Sequence, residues 1–427
     1  MSDTLTSDDP RYRELFDVQK EASSTNAEIY GDLSPAMDRL RDTAPVMRGS
    51  LRELLQLPTL DHYSVKRQSY TLFTFDLCNR ALRENELFSS EGYNDSPSVR
   101  AMGKVILKMV GDEHRRYRSV VQPMFLRPKV ENWWKPTWIT GAVEALLDRI
   151  DSKQDKVDLN MDLCARLPVH IVTRGIGMDE ANGLEFREHL LRSTVGGHNL
   201  SQEERMASAG EVSRMLRELI TRRRADPQED VISALITNDL PLPDGSARKL
   251  DDEEVFSYCR LIMLAGGGTT WRQLGITLHA LLSNYHLWEL CRDNRKLVAP
   301  AIEESARWMP TDPVFERVLT ADVELEGMHI PAQSRICMCL GAANRDPGRW
   351  DNPGQYDPLR PFQPHLGFGM GPHRCLGLDV AKQEMSSALN ALMDRYPNLR
   401  LDPDAPAPEL LGGVEQRGMS AVPVVLR

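Results

Sequence analysis

The sequence predicts a mainly α-helical fold with a smaller β-rich part, and three stretches carry that expectation. Residues 131 to about 226 set apolar against charged positions at helical spacing, most clearly from Val143 to Ile150 and from Glu211 to Arg223. A second helical pattern starts at Asp251, where Glu254 completes an acidic capping-box-like start, and runs to about Leu282. At a rise of about 1.5 Å per residue such a helix is close to ~50 Å long, enough to cross a whole domain. From Pro313 onward the character changes to short strand-like runs punctuated by Gly327 and Pro331, and the tail from Pro397, including Ala421 to Val425, is of the same kind.

In chain order, residues 1–30 hold few large apolar groups and read as an N-terminal extension or surface strap, with 31–427 forming one domain. A short amphipathic helix is expected from Ser34 to Val46 and a strand around Tyr70 to Phe75. Phe88 to Ser98 is rich in turn formers and reads as a long loop, a feature that is often functional inside a compact domain. Trp133, Trp134 and Trp138 read as packing. Thr194 to Leu200 interrupts the helical pattern and reads as a surface loop or lid connection, and Asp239 to Ser246 as a turn-rich connector.

A chain of 427 residues, 41% hydrophobic, can bury a large core. Its formal net charge of −10 argues against a surface devoted to nucleic acid or anionic lipid, while leaving room for local basic patches. Seven cysteines form an odd set with no CxxC pair, which fits a reducing compartment, here the cytoplasm. Cys337 and Cys339 alternate in an apolar run and read as strand residues. The acidic start of the chain has no secretory-signal pattern, and no apolar run reaches the roughly eighteen residues that span a bilayer, so a soluble protein without a membrane partner is expected.

The stretch most specialised for chemistry is Phe368-Gly-Met-Gly-Pro-His-Arg-Cys-Leu-Gly377. Gly369, Gly371 and Gly377 would let the backbone turn tightly and approach a flat ligand around Cys375. Leu378, Ala381, Met385, Leu389 and Leu392 follow at helical spacing, which puts Cys375 at the mouth of a helix whose positive end favours a thiolate. A buried structural cysteine after a Gly-rich turn is the bland alternative for a lone cysteine, and the ten-residue context outweighs it. Elsewhere, His114 and Arg118 share a helical face and could clamp one anion, or simply form a solvated basic face. Glu304 and Arg307 share another. Within the long helix lies Ala265-Gly-Gly-Gly-Thr-Thr270; three adjacent glycines cost a helix about 3 kcal/mol relative to alanine, so close helix packing or a ligand groove is expected there. The run lacks the Lys-Ser/Thr ending of a phosphate loop.

Phe368, Gly371, His373, Cys375 and Gly377 together resemble the haem-binding signature of the cytochrome P-450 superfamily. That resemblance implies the P-450 fold, one haem b, and Cys375 as the axial thiolate that pushes electron density onto iron and favours O–O cleavage. It implies that Phe368, Gly369, Gly377 and Ala265 line the haem, with His114, Arg118, Arg317 and His373 as propionate anchors. Thr269, with Gly268 and Thr270 beside it, would occupy the oxygen-binding face, and Tyr93, Val314 and Phe315 would meet substrate. Glu304, Arg307 and Arg360 match a buried structural triad. The family's commoner pattern has an acid where this chain has Gly268; water with Thr269, another carboxylate, or chemistry less dependent on proton relay could compensate. The implied activity is monooxygenation of an apolar small molecule (terpenoid, steroid, fatty acid or aromatic) by a monomer. An external ferredoxin and ferredoxin reductase would supply electrons, with Arg115, Arg116, Arg127, Lys129 and Arg374 as a docking patch. A haem-thiolate peroxygenase or isomerase, and a non-catalytic haem-binding sensor or carrier, are the rival readings.

Overall fold

A computed structural model describes residues 31–58, 63–152, 155–178, 180–193 and 200–427. The expected N-terminal extension and residues 194–199 of the expected lid connection lie outside the described residues.

Six helices position the site: α1 Gly111–Val121, α2 Leu167–Gly175, α3 Gln202–Ala225, α4 Asp252–Ser283, α5 Val298–Trp308 and α6 Leu378–Arg395. α4 starts where the sequence says it should. The Asp251 carboxylate accepts from the Glu254 N–H at 2.9 Å, and the Glu254 carboxylate accepts from the Asp251 N–H at 3.0 Å, so two N-terminal donors without helical partners are satisfied together. The helix is apolar nearly all round and runs through the core, packing against α2, α3, α5 and α6. Trp133, Trp134 and Trp138 are buried among one another with ring centroids 4.7–5.9 Å apart, and the Trp134 indole N–H donates to the Met124 carbonyl at 2.8 Å, so they pack as expected.

The main sheet contains β1 Val46–Arg48, β2 Ser69–Leu72, β3 Phe88–Ser89, β4 Val314–Leu319 and β5 Arg335–Cys339 in the order β1-β2-β5-β4-β3. Central β5 pairs parallel to β2 and antiparallel to β4 and is buried along its whole length, which explains the apolar run around Cys337 and Cys339. A short hairpin, β6 Leu410–Leu411 with β7 Gly418–Met419, lies against α4. The tail returns as Pro423–Val425, which pairs with both Lys156–Asp158 and Arg400–Leu401 and so fastens the C-terminus to the helical part.

Local boundaries differ from the sequence expectation for identifiable reasons. The first helix ends at Thr43 because Pro45 pushes Ala44 into extended backbone (φ −161°), and Val46 then opens β1. The strand expected to reach Phe75 stops at Leu72, because Phe75 instead begins a helix, Phe75–Arg83. The expected loop from Phe88 to Ser98 is β3 followed by a tight helical turn, Ser90–Asp95; the Ser89 hydroxyl accepts from the Glu91 N–H at 3.1 Å to start it, and Pro97 opens a further short helix. The connector at Asp239 is part of a hairpin, Asp239–Pro241 with Ala247–Lys249, turning through Gly245 at φ +84°.

Candidate active site

The Cys375 loop follows a long irregular segment after β5, lies against α5 at Gly367, where a Cβ would run into the Ala306 carbonyl oxygen, and enters α6. Its turn is closed by the Cys375 N–H, which donates to the Phe368 carbonyl at 2.8 Å, with Gly369 and Gly371 at φ +66° and +70°. The glycines have different reasons. A Cβ on Gly371 would stand 2.5 Å from the Leu82 carbonyl oxygen, so the close approach there is to the protein's own backbone. On Gly369 it would meet the Phe315 ring at 3.4 Å, and on Gly377, which has ordinary φ, it would meet no protein atom within 4 Å. Gly377 therefore borders space that a flat group can enter, whereas Gly371 is required by the loop itself.

Cys375 is the one exposed cysteine of the seven. Yet burial pushes its thiol up, against the Gly377 N–H and the Arg118 and Arg374 charges that draw it down. Accessible surface on a deeply enclosed sulfur means that it opens inward. The helix-end effect expected from sequence is thus present through Gly377 but outweighed by desolvation, and a metal cation at Sγ would be needed to hold the thiolate. Among the described residues no three His, Cys, Asp or Glu side chains cluster as a metal site, so a metal at Cys375 must bring its remaining ligands with it.

α1 carries His114 and Arg118 to the flank of this loop. Arg118 Nη2 donates to the Arg374 carbonyl at 2.6 Å, tying α1 to the residue before the cysteine. The His114 and His373 rings stack with centroids 4.1 Å apart, and Ser90 Oγ lies 3.1 Å from His373 Nε2. β4 adds Arg317, whose Nη1 donates to the Tyr93 hydroxyl at 3.3 Å and to the Glu316 carbonyl at 2.7 Å. Both ring nitrogens of His114 and Nε of Arg317 are buried without any hydrogen-bond partner. Buried polar groups in native proteins are nearly always paired, so this set of orphaned donors beside two cationic guanidinium groups fits an anionic ligand such as the carboxylates of a haem. Burial, then Arg118 and Arg317, push His114 down to about 4; burial, then His114, Arg317 and Arg118, push His373 down to about 2.

This predicts an acid sensitivity. Between about pH 6.5, where an unfolded histidine protonates, and about 4, where folded His114 does, only the unfolded chain takes up the proton. Stability of the haem-free protein should therefore fall as pH drops through that window, by up to about 3 kcal/mol from His114. The gap between urea midpoints at pH 7 and pH 5 should narrow in His114→Phe, with His373 and His170 keeping a share of it, and haem loading should shrink the wild-type difference because carboxylates beside His114 favour its charged form.

On the opposite wall, α4 presents Ala265 and Thr269 on one face. Ala265 is exposed in the middle of an otherwise buried helix, and the Thr269 hydroxyl donates to its carbonyl at 3.2 Å. Gly266 serves packing, since a Cβ there would stand 2.6 Å from Val172 Cγ2 of α2. Gly268 serves something else: its neighbours are Gln416 Oε1 and Arg272 Nη1, 3.5 and 3.6 Å from where a Cβ would be, and Arg272 donates to the Gly268 carbonyl at 2.8 Å. Thr270 is buried in the helix.

Glu304, Arg307 and Arg360 meet as expected. Arg307 forms a two-pronged pair with Glu304, both contacts at 2.7 Å, and donates to the carbonyls of Asn344, Pro353 and Gln355, while Arg360 Nε reaches Glu304 at 3.3 Å. Of the residues expected to meet substrate, Tyr93 is engaged with Arg317. Phe315 shares a strand face with Arg317 and stands against Gly369, whereas Val314 is on the other face, packed with Met37, Leu51 and Phe73. Sequence reasoning passed over Ser90, Arg272, Asp312 and Gln416. None has a motif, and their proximity to the site exists only after folding.

The comparisons with known proteins agree with this geometry. Residues 198–413 match the family model for cytochrome P450. The chain is 30% identical over 362 residues to the steroid C26-monooxygenase of Mycobacterium tuberculosis, covering 82% of this chain and 87% of that one. The chain belongs to the cytochrome P450 family. It is 31% identical over 301 residues to nocardicin C N-oxygenase of Nocardia uniformis subsp. tsuyamanensis, covering 69% and 73% of the two chains. The crystal structure of CYP109E1 from Bacillus megaterium in complex with testosterone superposes with a TM-score of 0.79 at 23% identity, covering 93% of this chain and 99% of that one. This P450 is a monooxygenase of the bacterial type, its cofactor is haem b, and no helix among its described residues is long and apolar enough to cross a membrane.

Proposed function

We propose that this P450 hydroxylates an apolar small molecule, with Cys375 as the iron ligand and with electrons delivered by a ferredoxin. The observation that carries the site assignment is the pairing of an inward-opening thiol with orphaned buried donors at His114 and Arg317. His114, His373, Arg118 and Arg317 would hold the two haem carboxylates, Tyr93 would hold Arg317 in place, and Gly377, Phe368 and Ala265 would border the ring. Bound haem supplies the redox chemistry by which dioxygen, two electrons, two protons and a substrate C–H give an alcohol and water. The protein's own residues orient the substrate, exclude water and deliver protons, with the Thr269 hydroxyl as the nearest donor on α4.

The names of relatives include a steroid C26-monooxygenase, a 6-deoxyerythronolide B hydroxylase, a nocardicin C N-oxygenase and a structure holding testosterone, so steroids recur among them. Steroids are accordingly the substrate class of first choice. A spin-state titration across steroids, terpenoids, fatty acids and aromatics tests this, with product formation required from any compound that shifts the spectrum; a shift confined to polar metabolites would overturn it.

For the ferredoxin, the basic residues flanking the site are the candidate docking patch. Arg116 and Arg115 both pair with Asp112, Arg116 also donating to the Pro241 carbonyl, Arg127 pairs with Glu131, and Lys129 lies over the Trp133 ring, while Arg115, Arg127, Lys129 and Arg374 all remain exposed. The double variant Arg115→Glu, Arg374→Glu should raise the ferredoxin's apparent Kd about tenfold or more and increase its salt dependence. Stopped-flow reduction measures this, and unchanged kinetics would move the docking surface elsewhere.

A further inference from the structure

The wall of the site beside Gly268 is built from three elements far apart in sequence. The Arg417 N–H donates to the Thr311 carbonyl at 2.7 Å, and the Arg417 guanidinium donates to the Pro310 carbonyl at 3.1 and 3.0 Å, so the β6–β7 turn is fastened to the segment that follows α5. That segment is fastened to α4 in turn. Gln273 Oε1 accepts from the Thr311 N–H at 3.2 Å and from its hydroxyl at 3.1 Å. At the junction stands Asp312, next in the chain to Thr311, and the Thr311–Arg417 hydrogen bond brings its carboxylate beside the Gln416 side chain. Gln416 Oε1 is then the atom closest to the missing Cβ of Gly268.

Asp312 and Gln416 both keep accessible surface, although burial raises the Asp312 carboxyl above the usual carboxylate range. As with Cys375, enclosure together with accessibility means that the Asp312 carboxyl opens inward. The groups facing Asp312 are Arg272 from α4 and Glu415 and Arg417 from the β6–β7 turn, with Cys375 within electrostatic reach across the site. No contact already described uses this carboxyl.

We infer that Asp312, brought next to Gln416 beside Gly268 by the Thr311–Arg417 contact, is the proton-storing carboxyl of the oxygen-binding wall and takes the place of the acid that α4 lacks. It acts through water ordered between the Gln416 amide and the Thr269 hydroxyl, so it is a positioning and proton-holding residue. In each turnover it passes two protons, one at a time, toward Thr269 and regains each from solvent, so it is unchanged over the cycle; dioxygen is the oxidant, and the two donor electrons with these two protons reduce its second oxygen atom to water. A small residue at 268 suits this arrangement. A longer side chain there would grow into Gln416 and Arg272 and displace the amide from its place next to Asp312.

This inference rests on the haem-thiolate reading, and the experiment separates the two. In the holoenzyme, Asp312→Asn should keep the thiolate-type carbon monoxide spectrum and the substrate spin shift. It should lower product formed per electron consumed, on the order of a hundredfold, as expected for loss of a positioned proton donor. Its solvent deuterium isotope effect should rise, and the wild-type decline of coupled turnover with increasing pH should disappear. Gly268→Asp placed in the Asp312→Asn background should restore much of the coupling. Infrared difference spectra of the resting protein provide a readout apart from turnover: a carboxylic acid band should be lost in Asp312→Asn and shifted in Gln416→Leu. Unchanged coupling with an intact carbon monoxide spectrum would overturn the inference. So would a loss that follows the spin-shift Kd alone, which would make Asp312 a substrate contact. Absence of the thiolate spectrum in the wild type would instead overturn the haem-thiolate reading.

Discussion

Cys375→Ser is expected to abolish the thiolate-type Soret band of the reduced carbon monoxide complex and all monooxygenation with it. The other six cysteines are buried. Burial holds the thiols of Cys78, Cys164 and Cys337 far above the normal range, that of Cys259 well above it, and pushes those of Cys291 and Cys339 up to about 11 and about 12, and none of the six has the accessible sulfur that Cys375 has. Serine fits the space but is a far weaker electron donor, and the push that favours O–O cleavage depends on sulfur. Haem retention should fall without vanishing, because the orphaned donors at His114 and Arg317 still face the carboxylates. The absorption spectrum of the purified variant after reduction and carbon monoxide exposure checks this, and a retained thiolate band would mean that a different sulfur ligates.

The second large effect lies away from the haem. Arg307→Leu should lower the unfolding free energy by about 3–5 kcal/mol, the usual cost of removing one partner of a buried ion pair. Glu304 would be left charged and enclosed, and the carbonyls of Asn344, Pro353 and Gln355 would lose their donor. Those carbonyls belong to the long irregular segment between β5 and the cysteine loop, which has little regular hydrogen bonding of its own, so the guanidinium organises it. The double replacement Glu304→Gln, Arg307→Met should be milder than Arg307→Leu, because the enclosed carboxylate is removed with its partner and Arg360, which loses that carboxylate, still donates to the Asp351 and Asn352 carbonyls. Denaturant midpoints of the haem-free and haem-loaded proteins separate this structural loss from loss of cofactor.

Local sequence determined the helices, their caps and the cysteine loop, because each depends on contacts within a few residues. α4 starts at its capping box, Gly369 and Gly371 adopt left-handed backbone, and Glu304 meets Arg307 one helical turn on. Resemblance then identified haem and the family, since the signature is a continuous stretch of ten residues. Pairings across long sequence separations were beyond reach. Only the tertiary structure decided that Gly266 packs on Val172 while Gly268 faces Gln416, that Tyr93 holds Arg317, and that Gly371 yields to the Leu82 carbonyl. The same holds for Asp312, brought beside α4 by a hairpin more than a hundred residues further along the chain. A periodic pattern records what a helix needs from its own neighbours. Which side chain stands across a cavity is set by packing of elements that share no local pattern, and in this P450 that packing supplies the carboxyl that the sequence of α4 leaves out.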